Sequence, residues 1–557
     1  MIQQIDYFVI AAPLVLAVVA GLVLLLDAFL PAGTRARAGG LGLVSLAGVV
    51  VALGFVVAQA VQGDRSRATF CVPQALGGAT AGSSGAAGAQ GLCSFVVDQF
   101  ALIFAGLVLV AAVVVVLLSM SELAGGGIPV GEWYFLLLCT LVGAVSLPSS
   151  RDLIMLVVAL ELVSLPVFAL TALKRYDGRS SEAAVKLFLV SVVSTAVMLF
   201  GVSLLYGVSG TVFLSRLASV FSGQTAAPGA AGDYLLQAGH GLPGVVTVGV
   251  VLVAAGFAFK IAAVPFHSWA ADVYQGAPVP VAALLSVISK AAGFAGLILV
   301  LLTALYGQAA TWTPVVAVVA ALTMTVGNLL AMRQRSAVRL LAWSSVAQSG
   351  YILAPLAVAG GASFGSEAVG TSLAYLVIYA AMNLGAFAVV MLVSRTAARN
   401  ELDDYRGLAF HRPAAAIALA FCLICLAGLP PGLAGLFAKV VVFREIVEGG
   451  AGWLAVVMAV NTVIGLYYYV VWTARLFTPA VAESGVAEPV TAGVAAGGSG
   501  SPGGAGRAGG AVALAGTGGS RMLTAVWVAV GIALVAAVLF SIAPQLVLGV
   551  TSFSPAG

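Results

Sequence analysis

The stretch GFAFKIAAVPFHSWAADVYQGAPVPVAALLSVISKAAGFAGLILVLL, residues 256–302 of a 557-residue chain, decides the fold. It is apolar enough to lie in hydrocarbon, yet it carries Lys260 and Lys290 within its apolar runs and Pro265 between them. A charge at mid-membrane costs at least ~2.5–3.5 kcal/mol, so lysines there mark a route for charge. Pro265 has no N–H, which leaves the Ile261 carbonyl without its helical donor. Broken backbone at membrane depth is tolerated where protein or water satisfies the freed groups. A break beside a charge therefore points to a polar interior, with a simple packing kink as the plainer reading.

The same combination recurs in GLPPGLAGLFAKVV, residues 428–441, where Pro430 and Pro431 precede Lys439. Glu161, in DLIMLVVALELVSLPVFAL, and Lys186, in SSEAAVKLFLV, complete the set of ionisable groups inside apolar runs. The fifth and last lysine, Lys174, lies at a helix end.

The rest of the chain supplies the membrane setting. Hydrophobic residues make up 62% and charged residues 8%, and mean hydropathy is +1.14. A soluble surface needs about a quarter of its residues charged, so an ordinary soluble domain is excluded. Most apolar runs approach the ~20 residues needed to cross a bilayer, and short loops join them, which predicts an all-helical bundle. Alternating segments of a transmembrane barrel are absent from the sequence. About fourteen spans are predicted, the seventh over Val245–Trp269 and the twelfth over Ala414–Val442. Fifteen basic loop residues then fall on the side of Arg35 and Arg37, against five opposite. The positive-inside rule places that side in the cytoplasm and both termini outside. The first apolar run lacks a basic leader and is long enough to remain a helix.

Helices seven and twelve are both long, broken and lysine-bearing, and lie five spans apart. Equivalent helices would thus enter from opposite sides, the signature of an inverted repeat. The expected organisation is helices one and two in 1–61, an extracytoplasmic low-complexity loop in 62–98, and helix three with its loop in 99–130. A first five-helix repeat (helices four to eight) follows in 131–305 and a second (nine to thirteen) in 306–477. A cytoplasmic Gly/Ala-rich linker fills 478–520, and helix fourteen with a tail fills 521–557. The 62–98 loop holds Cys71 and Cys93. They are expected to form a disulfide if that compartment is oxidising, while two free thiols remain the other reading. Cys422 and Cys425 lie in an apolar helix and read as buried small hydrophobes.

Among the ionisable residues, Glu161 and Lys260 are expected to pair, because both lie deep and both flank helix distortions. Lys290 lies too deep to snorkel and has no acidic neighbour one turn away, which suits a proton relay. Lys439 shares those features. Lys186 lies nearer a helix end, so snorkelling competes with a transport role. The buried basic residue is always lysine and never arginine, which favours proton exchange over permanent charge. His267 titrates near neutral pH and is a possible proton carrier at the seventh helix, or an interfacial anchor. Asp27, Asp152 and Asp272 are weaker candidates near helix ends. No phosphate-cradling loop, dinucleotide fingerprint, iron–sulfur cysteine run or metal cluster is present in the sequence, and no basic stripe suits nucleic acid.

On these residues the chain resembles the antiporter-like membrane subunits of proton-pumping NADH:quinone oxidoreductase, respiratory complex I, and in particular the subunit N (subunit 2) type. The segments carrying the resemblance include SSEAAVKLFLVSVVSTAVMLFG, GFAFKIAAVPFHSWAADVYQGAPVPV, VISKAAGF, LLAWSSVAQSGYIL and LAGLPPGLAGLFAKVVVF. It covers residues 8 to 475 and the last helix. The resemblance implies fourteen helices with two inverted five-helix repeats. It implies a glutamate–lysine pair at Glu161 and Lys260, a central relay at Lys290, an outer lysine at Lys439 and an inlet lysine at Lys186. It further implies a translocase subunit without a redox centre, in a bacterial plasma membrane beside other membrane subunits. NADH, FMN, iron–sulfur clusters and quinone would serve the whole complex and none would bind here. The alternative is a redox-independent cation/proton antiporter subunit.

Overall fold

The computed structural model describes residues 5–30, 35–62, 66–72, 92–174, 177–222, 243–360, 365–397, 399–479 and 517–552. The linker predicted over 478–520 therefore lies almost wholly outside the described residues, as does most of the 62–98 loop.

Helices follow one another from α1 (Ala11–Phe29) and α2 (Arg35–Val61) to a short hairpin of β1 (Arg67–Cys71) and β2 (Cys93–Val97). Then come α3 (Gln99–Leu123), α4 (Val130–Ser146), α5 (Leu153–Ala172), α6 (Gly178–Ser209) and the short α7 (Leu214–Phe221). The seventh apolar run divides into α8 (Pro243–Lys260) and α9 (Ala270–Gly276). It is followed by α10 (Val279–Ala304), α11 (Ala309–Ala331), α12 (Ala337–Leu353) and α13 (Gly365–Ser394). The twelfth run divides into α14 (Pro413–Ala427) and α15 (Leu433–Glu448), ahead of α16 (Gly452–Phe477), α17 (Thr517–Ile542) and α18 (Gln545–Thr551).

Eleven helices among the described residues are long and apolar enough to cross a membrane, and two shorter apolar ones, Gly244–Lys260 and Pro413–Ala427, precede the two breaks. The chain is thus an all-α, multi-pass membrane protein, apart from the hairpin. That hairpin is structure the sequence did not announce. Its antiparallel register pairs Cys71 with Cys93, and the two are joined by a disulfide.

Aspartates near helix ends have a local task. Asp98 accepts from the Ala101 amide at 2.9 Å and Asp152 from the Met155 amide at 2.7 Å, capping α3 and α5. Without a hydrophobic drive between helices in lipid, small residues set the closest crossings. A Cβ on Gly201 of α6 would stand 2.9 Å from the Gly249 carbonyl of α8. At the centre lies α10, whose whole apolar window is buried against the other helices. Around it stand α3, α5, α8 and α13, and α12 meets it through hydrogen bonds. Whatever α10 carries is therefore shielded from lipid, and it carries Lys290.

Candidate functional site: a buried lysine seam

Helix α8 stops at Lys260. Beyond it Ala262 adopts a left-handed φ of 56°, and the freed backbone finds new partners. The Trp269 indole donates to the Phe259 carbonyl at 3.3 Å, and the Val264 amide to the Thr323 hydroxyl at 3.0 Å. Lys260, only 7% exposed, donates to the hydroxyls of Ser164 on α5 and Ser191 on α6, the latter at 3.3 Å. Its ammonium also lies 5.5 Å from the centre of the Phe259 ring.

The expected direct pairing of Glu161 with Lys260 is not what the structure shows. Glu161 lies one turn before Ser164 and accepts the Thr195 hydroxyl at 2.7 Å. Lys260 is satisfied instead by the hydroxyls of Ser164 and Ser191. No carboxylate lies within ion-pair reach of Lys260 among the described residues.

Lys290 is 1% exposed. The helix widens to π geometry over Leu285–Ser289, just before it, a distortion frequent at functional sites. An ammonium has three protons to donate, and three acceptors surround this one. They are the Ser345 carbonyl, the Ser345 hydroxyl at 2.6 Å and the Ser349 hydroxyl at 2.8 Å. Burying a charge is tolerable only with such satisfaction.

The same face of α12 continues the polar path. Tyr379 donates to the Ser345 hydroxyl at 2.7 Å, and Tyr375 to the Gln348 amide oxygen at 2.6 Å. Gln348 in turn donates to the Tyr469 hydroxyl at 3.3 Å. Tyr351 stacks on Tyr375 with centroids 6.0 Å apart, and the Lys439 ammonium lies 5.7 Å over the Tyr351 ring.

Lys439 answers the second break. The carbonyls of Leu426 and Ala427 would receive the amides four residues on, which are Pro430 and Pro431 and carry no N–H. The Lys439 ammonium takes that place, donating to Leu426 at 3.1 Å and Ala427 at 2.7 Å.

Between Lys260 and Lys290 the connection is close but not hydrogen-bonded. A Cβ on Gly293, one turn past Lys290, would stand 3.1 Å from the Lys260 Cβ. A cavity of about 20 Å³ is lined by Lys260, Ser164, Ser191 and Ser289 among others. A water needs ~10–15 Å³ by this measure and two to four polar partners, so one fits.

Lys186 belongs elsewhere. Its side chain is 43% exposed and pairs with Glu182 at 2.6 Å and Asp272 at 3.1 Å. Arg339 closes the cluster on Asp272 at 2.8 Å, beside a cavity of about 300 Å³. It is a surface ion network at one end of α6, the snorkelled position that its place in the sequence allowed. Burial raises the Asp272 pKa, but hydrogen bonds from Lys186 and Arg339 outweigh it and hold the carboxyl below its usual value. His267 is half-buried and packs on Trp343 with centroids 5.4 Å apart. It stands apart from the hydrogen bonds that hold the three buried lysines.

Sequence reasoning missed the partners: Ser164, Ser191, Thr195, Ser345, Gln348, Ser349, Tyr375 and Tyr379. One signal was legible. LLAWSSVAQSGYIL places polar residues at 344, 345, 348 and 349 of an otherwise apolar helix, the spacing of one helical face. The serines of α5 and α6 carry no such pattern.

Residues 150–465 match the family model described as NADH:quinone oxidoreductase/Mrp antiporter, TM. The chain belongs to this family. Among curated members, it is 50% identical over 86% of its length to NADH-quinone oxidoreductase subunit N 2 of Streptomyces griseus, covering 83% of that protein. Subunit N of Salinispora tropica is 43% identical over 86% of each chain. The solved respiratory complex I from Thermus thermophilus contains a chain matching 97% of this one and 98% of itself, with TM-score 0.66 and 27% identity. A chain of the Mrp complex from Dietzia reaches TM-score 0.72 at 21% identity over 96% of each chain, a likeness of fold. No group of three or more His, Cys, Asp or Glu residues is placed to hold a metal among the described residues.

Proposed function

We propose that this chain is a proton-translocating membrane subunit of an NADH:quinone oxidoreductase. The observation that carries the reading is that Lys260, Lys290 and Lys439 are all buried and lie along one polar seam through the centre of the bundle. Similarity to the subunits N cited above supplies the redox partner, since oxidation of NADH and reduction of quinone belong to other subunits. Fourteen spans follow if the α8/α9 and α14/α15 pairs each count as one broken helix and α12, with the turn after it, as another. Residues 131–305 and 306–477 are then inverted five-helix repeats, with the charge bias of the loops placing both termini outside the cytoplasm.

In this reading Glu161 biases Lys260 by its charge rather than by contact. When redox chemistry elsewhere weakens that bias, Lys260 becomes the better donor. Its proton passes by way of water to a neutral Lys290 amine, leaving Lys260 neutral. Lys290 then delivers a proton along the α12 hydroxyls toward Lys439 and the outer side. Lys186 and its ion cluster stand at the inlet face. Moving one proton against 100 mV costs ~2.3 kcal/mol, comparable to a change of ~2 pKa units between donor and acceptor.

The deciding experiment replaces Lys290 or Lys260 by alanine and measures protons pumped per quinone reduced by the reconstituted complex. Pumping should fall steeply while the complex still assembles; full pumping in both variants would end the assignment. Glu161→Gln should lower pumping less severely. The likeness of fold to the Mrp chain favours a second reading, an antiporter subunit exchanging cations for protons without redox chemistry. Copurification with quinone-reducing subunits distinguishes the two, because the antiporter reading requires none.

A further inference from the structure

At the face where Lys186 lies, a separate cavity of about 530 Å³ is lined by Arg179, Arg333, Arg335, Arg339 and Arg399. Five arginines converge there against one carboxylate, Glu401, whose side chain is already engaged in capping the turn Leu402–Tyr405. Among the described residues only Arg339 of the five has an ion-pair partner, Asp272 on the adjoining side. The cavity walls are fixed by backbone: the Leu402 amide donates to the Arg335 carbonyl at 2.7 Å and the Ala337 amide to the Asn400 carbonyl at 2.8 Å.

Helix α12 begins in this cavity with Ser336 as its N-terminal flank and no side-chain cap. Ser336, half-buried, lines the cavity, and its hydroxyl has no hydrogen-bond partner. An uncapped helix N-terminus, an unsatisfied hydroxyl and guanidinium forks together suit a phosphate diester. The neighbouring surface specifies what that phosphate is attached to. On α11, Val318, Leu322, Leu329 and Met332 are all exposed, and their spacing puts them on one face. That apolar stripe runs up the helix and ends at Arg333, on the rim of the cavity.

We infer that this cavity binds the headgroup phosphate of an anionic phospholipid whose acyl chain lies along the α11 stripe. A free phosphate makes no use of the stripe, and a zwitterionic lipid wastes the excess of arginine. Basic pockets between spans on the cytoplasmic side are suited to such headgroups. Because Arg339 faces both this cavity and Asp272, the lipid would sit one residue away from the Lys186 cluster. The site is otherwise independent of the lysine seam.

The test uses the whole complex in phosphatidylcholine vesicles doped with phosphatidylglycerol carrying a photoreactive acyl chain. Illumination should label the α11 segment around Leu329 and Met332, and the corresponding phosphatidylcholine probe should not. The variant R333Q/R335Q/R399Q should weaken labelling on the order of a hundredfold, about fivefold per arginine. Should that variant fail to assemble, R335Q alone should show the fivefold loss. Unchanged labelling in the assembled variant, or equal labelling by phosphatidylcholine, overturns the site. Displacement by inorganic phosphate would assign the cavity to a free anion, and a protein crosslink at Met332 would assign it to a partner subunit. Either result removes the lipid.

Discussion

At the scale of single residues, Lys290 is held by groups that accept hydrogen bonds: one carbonyl and two hydroxyls. Such a cage suits a compact ammonium that can release its proton, because the serine hydroxyls can reorient to donate in return. Arginine keeps charge and hydrogen-bonding capacity but does not deprotonate. Lys290→Arg is therefore expected to abolish pumping as fully as Lys290→Ala, by roughly a hundredfold or more on the scale of lost proton-transfer catalysis. Proton flux per quinone reduced, in reconstituted vesicles, checks this; pumping retained by the arginine variant would mean that charge alone suffices. The lysines themselves were legible in the sequence, since a charge within an apolar run stands out at once. Their partners were not, because Ser164 and Ser191 are ordinary residues in membrane helices. The direct Glu161–Lys260 pair failed for the same reason: sequence shows which charges are buried, not which neutral hydroxyls reach them first.

At the scale of elements, the two breaks were readable from proline, but their chemistry emerges only in three dimensions. In the second break Lys439 substitutes for two missing amides, so a helical interruption and an intramembrane cation satisfy each other. Restoring those amides should release the lysine. The double variant Pro430→Ala/Pro431→Ala is expected to assemble at least as stably as the parent, because an interior proline costs a helix ~3 kcal/mol. It should nevertheless lose pumping to the extent of Lys439→Ala. Normal pumping with the helix rejoined would show that the break has no transport role. Packing of the two half-helices depends on Gly435, where an added Cβ would collide with the Cys425 carbonyl. Gly435→Val should therefore destabilise the subunit by about 1–3 kcal/mol, the usual cost of overpacking, seen as a lower midpoint in thermal unfolding of the solubilised complex. The π-helical turn before Lys290 and the β1/β2 hairpin left no readable trace. A π turn uses the same apolar residues as an α turn, and the hairpin's strands are brief segments flanking a small-residue insertion.

At the scale of the whole molecule, the proposed route requires the polar groups to act as one series from the first broken helix to the second. Helices α8 and α10 meet closely at Lys260, beside a cavity with room for one water, and the α12 hydroxyls and tyrosines run from Lys290 toward Lys439. Members of a series fail as a unit: once one step is blocked, blocking another adds little. The double variant Lys290→Ala/Lys439→Ala is thus expected to pump no worse than the more impaired single variant. A structural role predicts a different result. Lys290 and Lys439 belong to different helices with different partners, and losses of packing or hydrogen bonds at separate sites add. The two outcomes separate in one experiment that records pumping and thermal stability of the complex for both singles and the double. Non-additive pumping with additive, modest stability changes supports conduction through a single seam. Additive losses of pumping would mean two independent routes, or two structural lesions, and would dismantle the series.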